Sequence, residues 1–264
     1  MTEMSSLARR RWVVRAPSIP LAALVLGACG NVDPNDPSRE AFDPHPMFRL
    51  EPKPNLLAVA SFGPHDAFGL RGRGLDPGAK VRVLMLGGAS VYGVGVPTEQ
   101  AIPGRLATSL AKLEPSSSVA NGGCPGHCAA AAELRLHLRL GSLKPTHVVY
   151  VLGWEDMQVY AAERFQSDLG HVPRPWTGKP WPATQPSLAP EGADALRRDL
   201  RGIAVLARIQ GAKTIFVAPQ GPSFEPLRGA ARHEAVTTQG SWFELPGEGE
   251  APFQKLALEV IRVR

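Results

Sequence analysis

From residue 80 onward, four short strand-like segments alternate with stretches of helical spacing, and this alternation limits the fold more than any other feature. KVRVLML at 80–86, SSVAN at 117–121, HVVYVLG at 147–153 and TIFVAP at 214–219 read as strands. Helix patterns separate them. One covers 98–113, with Thr98 as N-cap and Ile102, Leu106, Leu110 and Leu113 on one face. A second covers AAAAELRLHLRLGSL; its Leu and Arg alternate at a strand period, but the Ala run and the flanking strands favour helix. A third covers 191–210, with Leu196, Leu200, Ile203 and Leu206 aligned, and a fourth closes the chain at 250–262. Strands alternating with helices predict an α/β protein, a three-layer α/β/α sandwich around a mainly parallel sheet. At 264 residues there is room for one such domain and little more.

The N-terminus reads as a targeting segment. Arg9, Arg10, Arg11 and Arg15 precede IPLAALVLGA at 19–28, an apolar run too short to span a bilayer. It ends in Leu26-Gly27-Ala28-Cys29, which resembles a bacterial lipobox. The expectation is a lipoprotein signal peptide over 1–28, cleavage before Cys29, and acyl chains on Cys29 that hold an exported protein to a membrane. Residues 29–46 are polar and proline-rich and are expected to be a tether, with the domain over 47–264. The net charge of +5 includes four Arg and one Glu of the leader, so the mature chain carries +2. No dense basic stripe remains, which argues against a nucleic-acid partner.

Cys124 and Cys128 lie in NGGCPGHC. Outside the cytoplasm a disulfide closing this loop is expected, ahead of free thiols and ahead of a metal site using His127. The spacing does not suit c-type haem. No cofactor is expected. A P-loop lacks its Lys and Ser/Thr, and Pro97 follows Gly93 and Gly95 too closely for a dinucleotide loop.

Ligands of parallel sheets bind beyond the carboxyl ends of the strands, so the residues following each strand carry the chemistry. These are Ser90 in GGASVYG, the 121–128 loop and the 153–156 turn. Gly88-Ala89-Ser90 followed by Gly93 resembles the first block of the SGNH (GDSL-type) hydrolases. Asn121-Gly122-Gly123-Cys124-Pro125-Gly126 is similar to their second block. VLGWED at 151–156 stands where the third, Gly-x-Asn-Asp, would be. The order and spacing match over roughly 43–264. The resemblance implies a flavodoxin-like sheet and a serine that attacks an acyl carbonyl. A histidine, oriented by an aspartate three residues before it, takes the proton. By position, Ser90 is the nucleophile, and the Ser90 and Gly126 N–H groups are oxyanion donors.

The sequence departs from that pattern at three polar positions. Glu155 replaces the Asn donor, and an ionised carboxylate only accepts. Ser241 and Glu244 fall where the closing Asp and His belong, and no His follows His233. His127 adjoins Gly126, and His233 falls in what reads as a loop after the fourth strand; neither has an orienting aspartate three residues upstream. Trp176 and Trp181 lie in a Pro-rich insertion, VPRPWTGKPWPATQP, suited to a pinned loop or a ligand wall. Two functions follow: an exported esterase or acyl hydrolase with an unorthodox base, or a catalytically degenerate SGNH-like domain that binds a cell-envelope glycan or protein. The ligand is accordingly an acyl ester or a glycan, and the three replacements favour the degenerate form.

Overall fold

The computed structural model describes residues 36–175, 179–245 and 251–263. The leader, the lipobox Cys29 and Trp176 lie outside the described residues.

Among the described residues, seven strands and eight α-helices follow in order. They are α1 (Ser38–Ala41), β1 (Phe42–His45), β2 (Arg49–Pro52), β3 (Val81–Gly87), α2 (Ala89–Tyr92), α3 (Ile102–Leu113), β4 (Ser117–Asn121), α4 (Ala129–Arg135), β5 (His147–Val151), α5 (Trp154–Tyr160), α6 (Pro190–Ile209), β6 (Lys213–Pro219), α7 (Glu225–Thr237), β7 (Ser241–Leu245) and α8 (Ala251–Arg262). A π-helical turn, Leu136–Leu140, extends α4. Strands β4-β3-β5-β6-β7 form one sheet in that order, every neighbouring pair parallel. Counted within the sheet the order is 2-1-3-4-5, the flavodoxin-like winding, with its switch point between β3 and β5. A crevice beyond the carboxyl ends of these two strands is the place such a sheet offers a ligand.

Alternation along the strands builds two cores. Val83, Met85, Val149, Val151, Ile215 and Val217 face α3 and α8 and pack on Leu106, Leu110, Phe253 and Leu256. Leu84, Leu86, Val148, Tyr150 and Phe216 face the other way onto Leu136, Leu196, Leu200 and Ile203. Each such side chain contributes about 1.5–3 kcal/mol on burial. This sandwich agrees with the sequence reading, and three details differ. Helix α3 starts at Ile102 rather than Thr98, because Pro103 is tolerated only in a first turn. Strand β7 and helix α7 were not expected. The first is an edge strand half-buried throughout, and the second has Pro226 in its first turn and carries Gly229 in a charged stretch.

The segment expected as a tether is structured from Ser38. Strand β1 pairs antiparallel with β2, and Ala41 and Phe42 are buried with Tyr92 and Cys124 in a third cluster. Phe42 meets Phe62 and Tyr92 edge-on, each at 5.4 Å. Its aromatic content, rather than its prolines, decides the fate of this stretch.

Candidate active site

Strand β3 ends at Gly87, whose φ of 152° and close neighbours Val91 and the Val151 carbonyl exclude a side chain. The chain then makes the single turn of α2, closed by Gly93 in the left-handed conformation. Ser90 is exposed on this turn. The loop after β4 interlocks with it. Asn121 donates through Nδ2 to the carbonyls of Val91 (3.0 Å) and Tyr92 (3.1 Å) and accepts the Gly123 N–H (3.0 Å). Buried Arg71 donates to the carbonyls of Tyr92, Gly93 and Val96, and Arg135 to those of Gly122 (2.8 Å) and Gly69 (2.9 Å). Two guanidinium groups thus fix the turn and the loop through their backbone oxygens.

Glu155 enters from α5, across the switch point. It is 7% exposed. Its Oε1 accepts the Ala89 N–H at 2.7 Å and the Gly126 N–H at 3.3 Å. Its carboxylate lies against Gly88, where any Cβ would overlap it. Burial pushes the Glu155 pKa up, while the N–H groups and the nearby Arg49 charge oppose that rise. The sequence expectation gave the donors as Ser90 and Gly126. In the structure the Gly126 N–H and the Ala89 N–H, one residue before Ser90, both donate to Glu155.

Asp156, the next residue, was not singled out from the sequence. Its Oδ1 accepts the Tyr150 hydroxyl (2.7 Å) and the Ala129 N–H (2.9 Å), and its Oδ2 accepts the Gly153 N–H (2.8 Å). One carboxylate therefore joins β5 to the starts of α4 and α5, and burial pushes it up to about 7. Its signal was its place three residues after Gly153, the N3 position of a helix start.

Arg49 was also missed. It sits in the β1–β2 hairpin with a φ of 67°, donates to the Gly126 carbonyl at 3.3 Å and lies 4.2 Å over the Trp181 ring. His127 donates through Nε2 to the Leu50 carbonyl at 2.6 Å and meets Phe48 edge-on at 5.8 Å. Burial and the Arg135 charge push its pKa down to about 3, so it is a neutral, occupied packing group.

The remaining expectations are corrected here. Cys124 and Cys128 are free thiols, not a disulfide. Cys124 packs in the hairpin cluster and Cys128 in the main core, and burial raises both to about 12. Glu244 lies on β7, three strands from β3, or about 14 Å at the usual strand spacing. It pairs with Arg232 of α7 at 3.1 Å. Ser241 bonds to Glu259 of α8. His233 is on helix α7, not in a loop, exposed and 3.9 Å from Glu234. The structure thus brings Ser90, Gly126 and Glu155 together and leaves Glu244 outside. A separate cleft of about 400 Å³ opens between residues 58–63 and 95–99, walled in part by Phe62, Arg71 and Glu99 but not by Ser90 or Glu155. Among the described residues there is no metal-binding cluster, and no helix is long and apolar enough to cross a membrane.

No family model and no curated protein sequence matches the chain. Solved structures that resemble it are GDSL-type esterases and lipases, the group its motifs resemble. A variant of Axe2, an acetyl-xylooligosaccharide esterase from Geobacillus stearothermophilus, is 14% identical over 70% of this chain and 94% of its own, with a TM-score of 0.49. A protein described as a GDSL-like lipase from Parabacteroides merdae is 12% identical over 73% of this chain and 100% of its own, at 0.48. A lipolytic protein of the G-D-S-L family from Desulfitobacterium hafniense is 13% identical over 70% and 100%, at 0.45.

Proposed function

We propose that this chain is an exported, membrane-anchored domain of SGNH type whose Ser90 centre is catalytically silent and serves in binding. The observation that carries the reading is the position of the Glu155 carboxylate on the Ala89 and Gly126 N–H groups. Acyl transfer needs such donors for the oxygen that gains charge in the transition state, and losing one donor costs about 10²–10³ in rate. Here both are taken by the Glu155 Oε1, so an oxyanion there would meet an acceptor oxygen instead of donors. The proton acceptors that the sequence offers stand elsewhere as well. His127 is bound to Leu50, His233 stands exposed on α7, and Glu244 is held by Arg232. Anchoring rests on the basic leader and the Leu26-Gly27-Ala28-Cys29 sequence.

The test is hydrolysis of a short-chain aryl ester by the full chain and by its Ser90→Ala variant. Equal rates at background are expected. Turnover that vanishes with Ser90→Ala would establish a working serine hydrolase instead. Export and lipidation are read from the mature N-terminal peptide, which should begin at Cys29 and carry the mass of its acyl chains. A peptide extending upstream of Cys29 would remove the anchor from the proposal.

A further inference from the structure

The same geometry narrows what the Ser90 rim can hold, and this step rests on the binding reading above. Ser90 Oγ and Glu155 Oε2 lie 3.5 Å and 3.4 Å from one point, the position a Cβ on Gly153 would take. Ser90 is exposed, and Glu155 commits Oε1 to the two backbone N–H groups. The rim therefore presents a hydroxyl beside a carboxyl oxygen, where an ester-cleaving site would present a pair of backbone donors. A carbonyl or carboxylate oxygen placed there finds one donor, the Ser90 hydroxyl, and lies against the Glu155 carboxyl oxygen. A ligand that fits must bring its own donors.

An exposed tryptophan adjoins the rim in the chain. Trp154 follows Gly153 directly and is 38% exposed, so ring surface remains open to a ligand. On the other side, the Arg49 guanidinium donates to the Gly126 carbonyl and stacks on Trp181. The same Arg49 charge acts on Glu155. We infer that the Ser90–Glu155 rim binds an uncharged saccharide. One sugar hydroxyl donates to Glu155 Oε2, its neighbour pairs with Ser90 Oγ, and the apolar face of the ring rests on Trp154. An O–H bond to a carboxylate is about twice as strong as a neutral one, and an aromatic ring supplies large contact area at fixed geometry.

The experiment titrates the full chain, held in a detergent without a sugar headgroup, with chitohexaose, xylohexaose and cellohexaose, and with hexagalacturonate as the anionic counterpart. Tryptophan fluorescence and calorimetry follow binding. At least one neutral hexasaccharide should bind saturably. Glu155→Gln should weaken it about tenfold, as loss of one charge-assisted bond implies, and Ser90→Ala and Trp154→Ala should each weaken it several-fold. Ser90 and Trp154 are exposed, so these two variants keep the test open if Glu155→Gln folds poorly. Hexagalacturonate should bind less well than its neutral counterparts. Binding by none of the neutral sugars, binding unchanged in all three variants, or preference for hexagalacturonate would each overturn the inference. The aryl-ester assay on the same preparation separates the two readings. No turnover with no sugar binding removes only this inference, whereas Ser90-dependent turnover removes the binding reading on which it rests.

Discussion

Glu155 Oε1 stands 2.7 Å from the amide nitrogen of Ala89, the first residue of the turn that carries Ser90. A side chain from beyond β5 thus closes a turn made beyond β3, and glycine at 88 is what admits it. A Cβ on Gly88 would overlap the Glu155 carboxylate. Gly88→Ala should therefore cost about 1–3 kcal/mol, as overpacking does, read from the urea midpoint. In a Glu155→Ala background the same change should cost less than about 1 kcal/mol, giving a clear coupling in the double-mutant cycle. Additive costs would mean that something other than Glu155 forbids the methyl group.

The pH dependence of stability follows from two opposed sets of buried groups. Burial raises Asp156 and Glu133 to about 7 each, and raises Glu155 as well. Burial lowers His65 to about 4 and His127 to about 3. A raised carboxylate keeps its proton in the folded state when the unfolded chain has lost it, so its contribution falls as pH rises towards 7. A lowered histidine is protonated first in the unfolded chain, so its contribution falls as pH drops below 6.5. Between pH 8 and 6.5 only the carboxylates act, and stability should increase on acidification. From 6.5 towards 4.5 the sets oppose, and stability should level off. Urea midpoints across this range test the shape. Asp156→Asn should shrink the gain between pH 8 and 6.5, and a gain of full size in that variant would sink the assignment to Asp156.

Much of this arrangement was legible in the sequence, and the exceptions share a cause. Strands β3, β5 and β6 are buried on both faces, so they read directly as apolar runs. Strand β7 is half-buried along its length at the sheet edge, and α7 has Pro226 in its first turn among charges, so neither had a pattern to betray it. Ser90, Gly126 and Glu155 were singled out because each follows a strand, and the structure brings them together. That Glu155 would satisfy the amides it was expected to spoil required knowing that its carboxylate turns onto them. Arg49 reaches Gly126 across 77 positions from a segment that reads as polar tether and irregular chain, and no local signal announces such a contact.

Glu244 should be dispensable. Its only described ion pair, with Arg232, is exposed on both sides, with side chains 34% and 57% accessible. Surface pairs of this kind contribute about 0–1 kcal/mol. Glu244→Ala should shift stability by less than about 1 kcal/mol and leave saccharide binding unchanged. A large loss of binding would return Glu244 to the site from which its strand position removes it.

The two thiols of the 121–128 loop should be inert while the protein is folded. Both are buried, and burial holds both near pKa 12, far from the thiolate that alkylating reagents attack. Iodoacetamide at pH 8 should leave Cys124 and Cys128 unmodified in the native protein and label both in urea without prior reduction. Labelling in urea only after a reductant would show the disulfide that the loop spacing suggests.

Arg49 combines a strained backbone with an engaged side chain, and the two can be separated. Its φ of 67° lies in the left-handed region, which costs a residue with a Cβ about 1–2 kcal/mol and glycine almost nothing. The guanidinium offsets that cost through Gly126 and the Trp181 ring. Both Arg49→Ala and Arg49→Gly lose the guanidinium, but only Arg49→Gly also loses the strain. Arg49→Gly should therefore be the more stable variant by about 1 kcal/mol, against the usual rule that glycine destabilises. Trp181 should become more solvent-exposed in both, seen as the same red shift in tryptophan emission. Alanine proving the more stable would mean that residue 49 does not hold the left-handed conformation, and that the hairpin brings its arginine to Gly126 by another backbone path.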